Sequence, residues 1–180
     1  MYLIVGLGNP GKEYELTRHN AGFVAVEMLL DKLDSKEKFR KETKFQAEVA
    51  RNGEIVVIRP TTFMNESGRA VKKIMDFYKL SPSDLIVIHD DLDISLGEYK
   101  IQKGVGPKVH NGVDSVEAYV GSKEFVRLRL GVDNRGAGIN YGSGADYVLS
   151  KMAKEERNKL EMAIELSLGD LAETFGLEFE

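Results

Sequence analysis

Cysteine is absent from the 180 residues. The chain can therefore hold no disulfide, no thiolate zinc site and no cysteine nucleophile, a pattern that suits a reducing compartment. Long hydrophobic runs are missing as well, and nothing approaches the roughly 20 apolar residues that a membrane-spanning helix needs. The chain opens Met1-Tyr2-Leu3-Ile4-Val5 and reaches Gly6 at once, with no basic leader and too short an apolar run for a signal peptide. These absences predict a soluble, cytoplasmic protein. Linker-like stretches, internal repeats and low-complexity segments are lacking too. With 42% hydrophobic residues the chain has enough for one sizeable core, so residues 1–180 are expected to form a single domain, acting as a monomer.

Basic charge is in deficit, with a formal net charge of −4. Distribution matters more than the sum. Lys100, Lys103 and Lys108 stand between Tyr99 and His110 with no acid among them, and Arg127, Arg129 and Arg135 follow. The acids gather near the C-terminus, so a basic face on an acidic protein is expected.

Residues 2–5 read as a buried strand ending in a glycine-rich turn. Asn20 is placed to cap a helix whose apolar stripe runs Phe23, Val26, Met28, Leu29, Leu30 and Leu33. Strands at 45–50 and 55–59 flank Asn52-Gly53, a hairpin dipeptide, and Pro60 stops the second. A helix is predicted from Ser67 to Tyr78, with Val71, Ile74, Met75 and Tyr78 inward. The run 85–88 is a central strand, 99–102 and 125–132 are further strands, 110–119 is a short helix and 154–175 a long one. Residues 136–144 form a glycine-rich loop. Alternating strands and helices predict an α/β fold, one twisted mixed sheet with helices on both faces.

Gly6-Leu7-Gly8-Asn9-Pro10-Gly11 matches G-x-G-x-x-G, but a dinucleotide site needs its glycines to lead straight into a helix. Here Pro10 biases Asn9 toward extended backbone, and the helical stripe begins only near Ala21. The turn is better suited to presenting Asn9 at the C-terminal edge of the sheet, where open α/β folds bind ligands.

Histidine is scarce: His19, His89 and His110 are the three. His19, in Thr17-Arg18-His19-Asn20, is the candidate general base, because imidazole titrates near neutrality. Asp90 follows strand 85–88 and could hold His19 in one tautomer. Asn65 and Asn111 each precede or open a helix. Their amides could serve an oxyanion or a bound peptide group, but helix capping explains each position as well, and both readings stand. Ser67 and Ser95 lie nearby without a nucleophile elbow. His89, Asp90, Asp91 and Asp93 do not match a helical or EF-hand ligand spacing, so no metal is expected.

Five ordered motifs carry a resemblance: Gly6-Leu7-Gly8-Asn9-Pro10-Gly11 with Tyr14, Thr17-Arg18-His19-Asn20-Ala21-Gly22, Thr61-Thr62-Phe63-Met64-Asn65 with Ser67-Gly68, His89-Asp90-Asp91-Leu92-Asp93, and His110-Asn111-Gly112. In content and order the chain resembles bacterial-type peptidyl-tRNA hydrolases, from residue 1 to about 132. The resemblance implies His19 as catalytic base and Asp90 as its partner. Asn9, Asn65 and Asn111 would hold the peptide, the ester and a water. Tyr14, Phe63, Met64 and His110 would line the pocket for the terminal adenosine and first peptide residue, with Asn65 and Asn111 contributing. Lys100 and Arg129 would grip phosphates of the tRNA acceptor stem. No cofactor is implied; the partner is the tRNA acceptor stem and 3′ end with its peptide, and no membrane.

One segment departs from the family pattern. Lys108 and Val109 stand before His110 where relatives often carry two glycines, so a more extended backbone path over the substrate is expected, with an added charge beside the expected RNA face. The alternative function is a non-hydrolytic RNA-binding protein of the same fold, against which the complete His19, Asp90 and asparagine set argues. A metabolic enzyme acting on nucleotides lacks its phosphate loop here.

Overall fold

Among the described residues seven strands form one sheet, in the order Arg40–Glu42, Ala47–Asn52, Ile55–Pro60, Tyr2–Gly6, Leu85–Ser95, Val126–Asp133, Tyr99–Lys103. In chain order the elements are β1 (Tyr2–Gly6), α1 (Ala21–Leu33), β2 (Arg40–Glu42), β3 (Ala47–Asn52), β4 (Ile55–Pro60), α2 (Ser67–Tyr78), β5 (Leu85–Ser95), β6 (Tyr99–Lys103), α3 (Asn111–Val120), β7 (Val126–Asp133), α4 (Gly144–Val148) and α5 (Lys154–Phe175). This computed structural model describes residues 1–33, 38–136 and 141–177. The predicted glycine-rich loop 136–144 falls partly outside them.

Strands β4, β1, β5 and β7 run parallel, while β2, β3 and β6 add antiparallel edges. Central parallel strands are buried on both faces, which explains their unbroken apolar runs. Alternate side chains part to opposite sides: Ile4, Ile86, Ile88, Leu128 and Leu130 pack under α1 and α5. Leu3, Val5, Val56, Ile58 and Val87 pack under α2 and α3. The mixed sheet covered on both faces is thus the architecture the sequence predicts. No helix among the described residues is long and apolar enough to cross a membrane.

The glycines of the first turn serve close packing. A Cβ on Gly6 would lie 2.3 Å from the Gly22 carbonyl oxygen, and one on Gly22 would lie 2.4 Å from that of Ile88. Such backbone approaches admit no side chain, so α1 sits directly on β1 and β5. Two 3₁₀ turns, Lys12–Tyr14 and Arg18–Asn20, separate Gly11 from α1. The N-terminus of α1 therefore does not follow from the glycines, as a dinucleotide site would require.

Some local expectations shift. The β3–β4 hairpin turns at Gly53-Glu54, because Asn52 pairs with Ile55 and Gly53 alone takes positive φ. Strand β5 runs on to Ser95, so Asp90 lies within it. Asn20 does not cap α1: its side chain accepts from the Asn9 N–H at 2.9 Å and donates to the Asn9 carbonyl at 2.9 Å. The loop carrying Asn9 is thereby fixed to the turn carrying His19. Because β1, β4 and β5 are parallel, the loop after β1, the loop after β4 and the far half of β5 converge on one edge of the sheet.

Candidate active site

A cavity of about 720 Å³ opens at that edge, and its lining includes Asn9, His19, Met64, Asn65, Asp90 and Asn111. The residues predicted from five separate segments are thus brought together. His19 Nδ1 lies 2.9 and 3.0 Å from the two oxygens of Asp90. With Nδ1 committed as donor to a carboxylate, Nε2 is left as the ring's acceptor. Burial pushes the imidazole toward neutrality, but the Asp90 charge and hydrogen bond outweigh it and raise the His19 pKa above 6.5.

Asp90 has a second imidazole partner. His110 Nε2 is 2.8 Å from Asp90 Oδ1. The opposite nitrogen, Nδ1, accepts from the backbone N–H of Gly112 at 3.1 Å and of Val113 at 3.3 Å, so His110 is the N-cap of α3. An acceptor nitrogen carries no proton, which places the proton on Nε2, aimed at Asp90. Burial alone would raise the Asp90 pKa; the His19 and His110 rings hold it well below the usual carboxylate range instead. His110 also borders the cavity, but its polar atoms are engaged with Asp90 and α3.

His89 points away from this chemistry. It is fully buried, its Nδ1 donates to the Asp90 carbonyl at 2.7 Å, and burial together with neighbouring His110 pushes its pKa down to about 3. It is a neutral core residue.

The asparagines divide into two kinds. Asn9 is buried, and its Oδ1 accepts from the Met64 N–H at 2.8 Å. Its amide group is therefore oriented with NH₂ as the free function, a donor suited to a carbonyl or oxyanion. Asn65 and Asn111 are exposed on the cavity lining. Neither caps a helix: His110 caps α3, and the residue preceding α2 is Glu66. With capping removed as the reason for them, two amides remain free to meet a ligand.

Other predicted site residues lie differently. Phe63, more than half exposed, and buried Met64 line the cavity as expected. Tyr14 is half-buried on the first 3₁₀ turn and is not among the lining residues. Lys100 is exposed on β6, opposite Arg129 of β7. Arg129 is not a surface cation: its Nε donates to Asp91 Oδ2 at 2.8 Å and its Nη1 to Gln102 Oε1 at 2.6 Å, in a pair that is almost wholly buried. The sequence places Arg127 and Arg129 on an expected basic face. Arg127 and Arg129 instead turn inward, because Glu117 and Asp91 wait there.

The segment before His110 takes positive φ at Gly104 (66°) and Gly106 (63°), not at Lys108 or Val109. Val109 is 82% exposed on the cavity rim, and the Lys108 N–H donates to Asp93. Ser67 is fully buried and donates to the Met64 carbonyl, which rules it out as a nucleophile.

Among the described residues, one cluster brings ligand atoms close enough for a metal: His19, Asp90 and His110, within 4.8 Å of one another. The donor set does not fit. A cation would need the lone pair of His110 Nε2, the nitrogen that must bear the proton while Nδ1 accepts two amides. The neighbouring acids of the 89–93 run point elsewhere, Asp91 toward Arg129 and Asp93 toward the Lys108 amide.

Around the site, the double grip on Asp90, the Asn20 clamp on Asn9 and the short helix α4 are not read from the sequence. The last had a signal, since Ser143 and Asp146 hold the N-cap and N3 positions of a capping box. Gly144, Ala145, Val148 and Leu149 of this region supply the cavity's further wall.

Comparison with known proteins agrees with this geometry. The family model described as peptidyl-tRNA hydrolase matches residues 3–176. The peptidyl-tRNA hydrolase of Neisseria meningitidis serogroup C is 43% identical over 170 residues, 92% of this chain and 86% of that protein. That of Sorangium cellulosum is 42% identical over 183 residues, 100% of this chain and 81% of its own length. The crystal structure of the Acinetobacter baumannii peptidyl-tRNA hydrolase superposes with a TM-score of 0.82 at 33% identity, covering 96% of this chain and 91% of that one. The chain belongs to the peptidyl-tRNA hydrolase family.

Proposed function

We propose that this protein hydrolyses the ester joining a peptide to the 3′-terminal ribose of tRNA, and that His19 activates the attacking water. The observation that carries the reading is the Nδ1 contact of His19 with both Asp90 oxygens, which leaves Nε2 as an acceptor on a residue lining the cavity. Water gives a proton to Nε2 as its oxygen attacks the ester carbonyl. The positive charge that develops on the ring is balanced by Asp90. Asn9, with only its NH₂ free, donates to the oxygen that becomes negative. The tetrahedral intermediate then collapses with cleavage of the carbon–ribose oxygen bond, and the His19 imidazolium returns its proton to the departing ribose oxygen. Asn65 and Asn111, whose amides are unengaged, hold the peptide group and place the water.

Phe63 and Met64 offer apolar surface to the terminal adenosine and the first peptide residue, with Tyr14 outside the cavity proper. Lys100 meets phosphate of the acceptor stem. Arg129 supports the same basic face from beneath by neutralising Asp91. The protein acts in the cytoplasm as a monomer, without metal or organic cofactor.

The test is release of tRNA from an N-blocked aminoacyl-tRNA by the purified protein and by His19→Ala. The reading predicts turnover by the parent and a loss of about 10²–10⁴-fold or more in the variant, with binding retained. Binding without release by the parent would make it the non-hydrolytic RNA-binding relative. Undiminished kcat in the variant would remove His19 from the chemistry.

A further inference from the structure

We infer that Arg18 is a positioning residue: it couples the His19 imidazole to the cavity wall built by α4. The inference rests on the reading of His19 as the base. Arg18 immediately precedes His19, yet its own side chain is 4% exposed and turns away from the cavity's acid–base pair. Its Nη1 donates to Ser150 Oγ at 2.6 Å and to the carbonyls of Ser150 and Lys151 at 3.2 and 3.4 Å. Its Nη2 donates to Glu156 Oε1 at 2.6 Å, and the guanidinium carbon lies 4.2 Å above the centre of the Tyr147 ring. One planar cation therefore grips the exit of α4, the start of α5 and an aromatic residue of α4.

Each partner is itself held. Glu156 Oε2 accepts from the Ala153 N–H at the start of α5, and its Oε1 also accepts from Asn134 Nδ2, just beyond β7. The Tyr147 hydroxyl donates to the Val132 carbonyl and accepts from the Asn134 N–H. The main chain adds a bridge between Thr17 and Lys151 and a bond from the Met152 N–H to the Leu16 carbonyl at 2.9 Å. Arg18 thus fastens to a rigid junction, not to a loose surface.

The 3₁₀ turn that carries His19 is three residues long, Arg18–Asn20, and too short to fix its own orientation. Backbone pairing with Ser150, Lys151 and Met152 holds its start, and its three consecutive side chains set the rest of its orientation in three directions. Arg18 reaches the α4–α5 junction, His19 reaches Asp90 and Asn20 clamps Asn9. Releasing the first lets the turn rotate about the second and third. The near-equal 2.9 and 3.0 Å contacts of Nδ1 with Asp90 are the geometry most sensitive to that rotation. Lysine cannot substitute, because an ammonium has no fork to reach three acceptors and a carboxylate while stacking on a ring.

The experiment compares Arg18→Lys and Arg18→Gln with Leu171→Ala, a change in the core under α5 that does not line the cavity. Three readouts are taken on each: Tm, kcat and KM on N-blocked aminoacyl-tRNA, and the NMR signal of the His19 Nδ1 proton. Both Arg18 variants are expected to lose about 10–100-fold in kcat, the scale of an ångström of misplacement, and to weaken or lose the His19 proton signal. Leu171→Ala should lower Tm and leave the signal and kcat near the parent's. If Arg18→Gln does not fold, Arg18→Lys carries the test. An Arg18→Lys protein with parental kcat and an intact His19 signal overturns the inference, as does a Leu171→Ala protein that loses as much kcat at the same Tm. Failure of the base assignment is read separately: His19→Ala would then stay active, while the His19 proton signal would still report on Arg18.

Discussion

His110 and Asp90 share a proton that belongs to the histidine, across 2.8 Å, because the ring's other nitrogen is occupied by the first amides of α3. The same ring therefore caps a helix and braces the carboxylate that serves His19. The two tasks are separable. His110→Asn keeps a capping side chain but cannot span to Asp90, and should cost about 1–3 kcal/mol through the buried acceptor it leaves short of a donor. His110→Ala should lose about 1 kcal/mol more with the cap. In either variant Asp90 turns its charge on His19 alone, the His19 pKa rises further, and the acid limb of kcat/KM moves to higher pH. Equal urea midpoints for the two variants would refute the cap, and an unmoved limb would refute the brace.

Asp90→Asn tests the tautomer. The Asn carbonyl can still accept from His110, which turns its NH₂ toward His19 Nδ1, 3.0 Å from the present Oδ2. Nδ1 must then accept, the proton moves to Nε2, and the ring can no longer take one from water. The expected loss is about 10²–10⁴-fold in kcat with little change in KM. A change confined to KM would reassign Asp90 to binding.

Much of this was legible beforehand, for reasons that particular elements make plain. Helices α2 and α5 begin and end where the apolar stripe and its flanking breakers predict. Asn9, His19, Asn65, Asp90 and Asn111 are foreseeable as one site because parallel strands deliver their C-terminal ends to one edge. Strand β2 was not legible: Arg-Lys-Glu has no apolar alternation and is a strand only through its pairing with β3. The inward turn of Arg129 was hidden for a similar reason. Its partner Asp91 lies 38 residues away, and no local pattern encodes that meeting. Asn20 looks like a cap because asparagine caps well, yet a nearby loop with an unpaired N–H and C=O claimed its amide first.

Lys100 and Arg129 should separate cleanly. Lys100→Gln is expected to raise KM for tRNA substrates, leave Tm unchanged and flatten the salt dependence by about one counterion. Arg129→Gln leaves Asp91 buried without its cation and should cost about 3–5 kcal/mol of stability. An Arg129→Gln protein of parental Tm with the salt slope of Lys100→Gln would show instead that Arg129 meets phosphate directly.

Strong chelators should leave the rate unchanged, since the His110 tautomer denies a metal the nitrogen it would need. Loss of turnover in EDTA, restored by a divalent cation, would contradict that tautomer and the role given to Asp90 with it.

The central claim is that neutral His19 takes a proton from water while Asp90 holds the ring. Its most direct test is the pH dependence of kcat/KM for an N-blocked aminoacyl-tRNA. The base must be unprotonated to act, so activity is full above the His19 pKa and falls as pH drops through it. Because Asp90 outweighs burial and raises that pKa, the acid limb should have its midpoint above 6.5, with a slope of one proton. A rate that stays flat from pH 8 to about 5, or a midpoint well below the ordinary imidazole value near 6.5, would contradict the account.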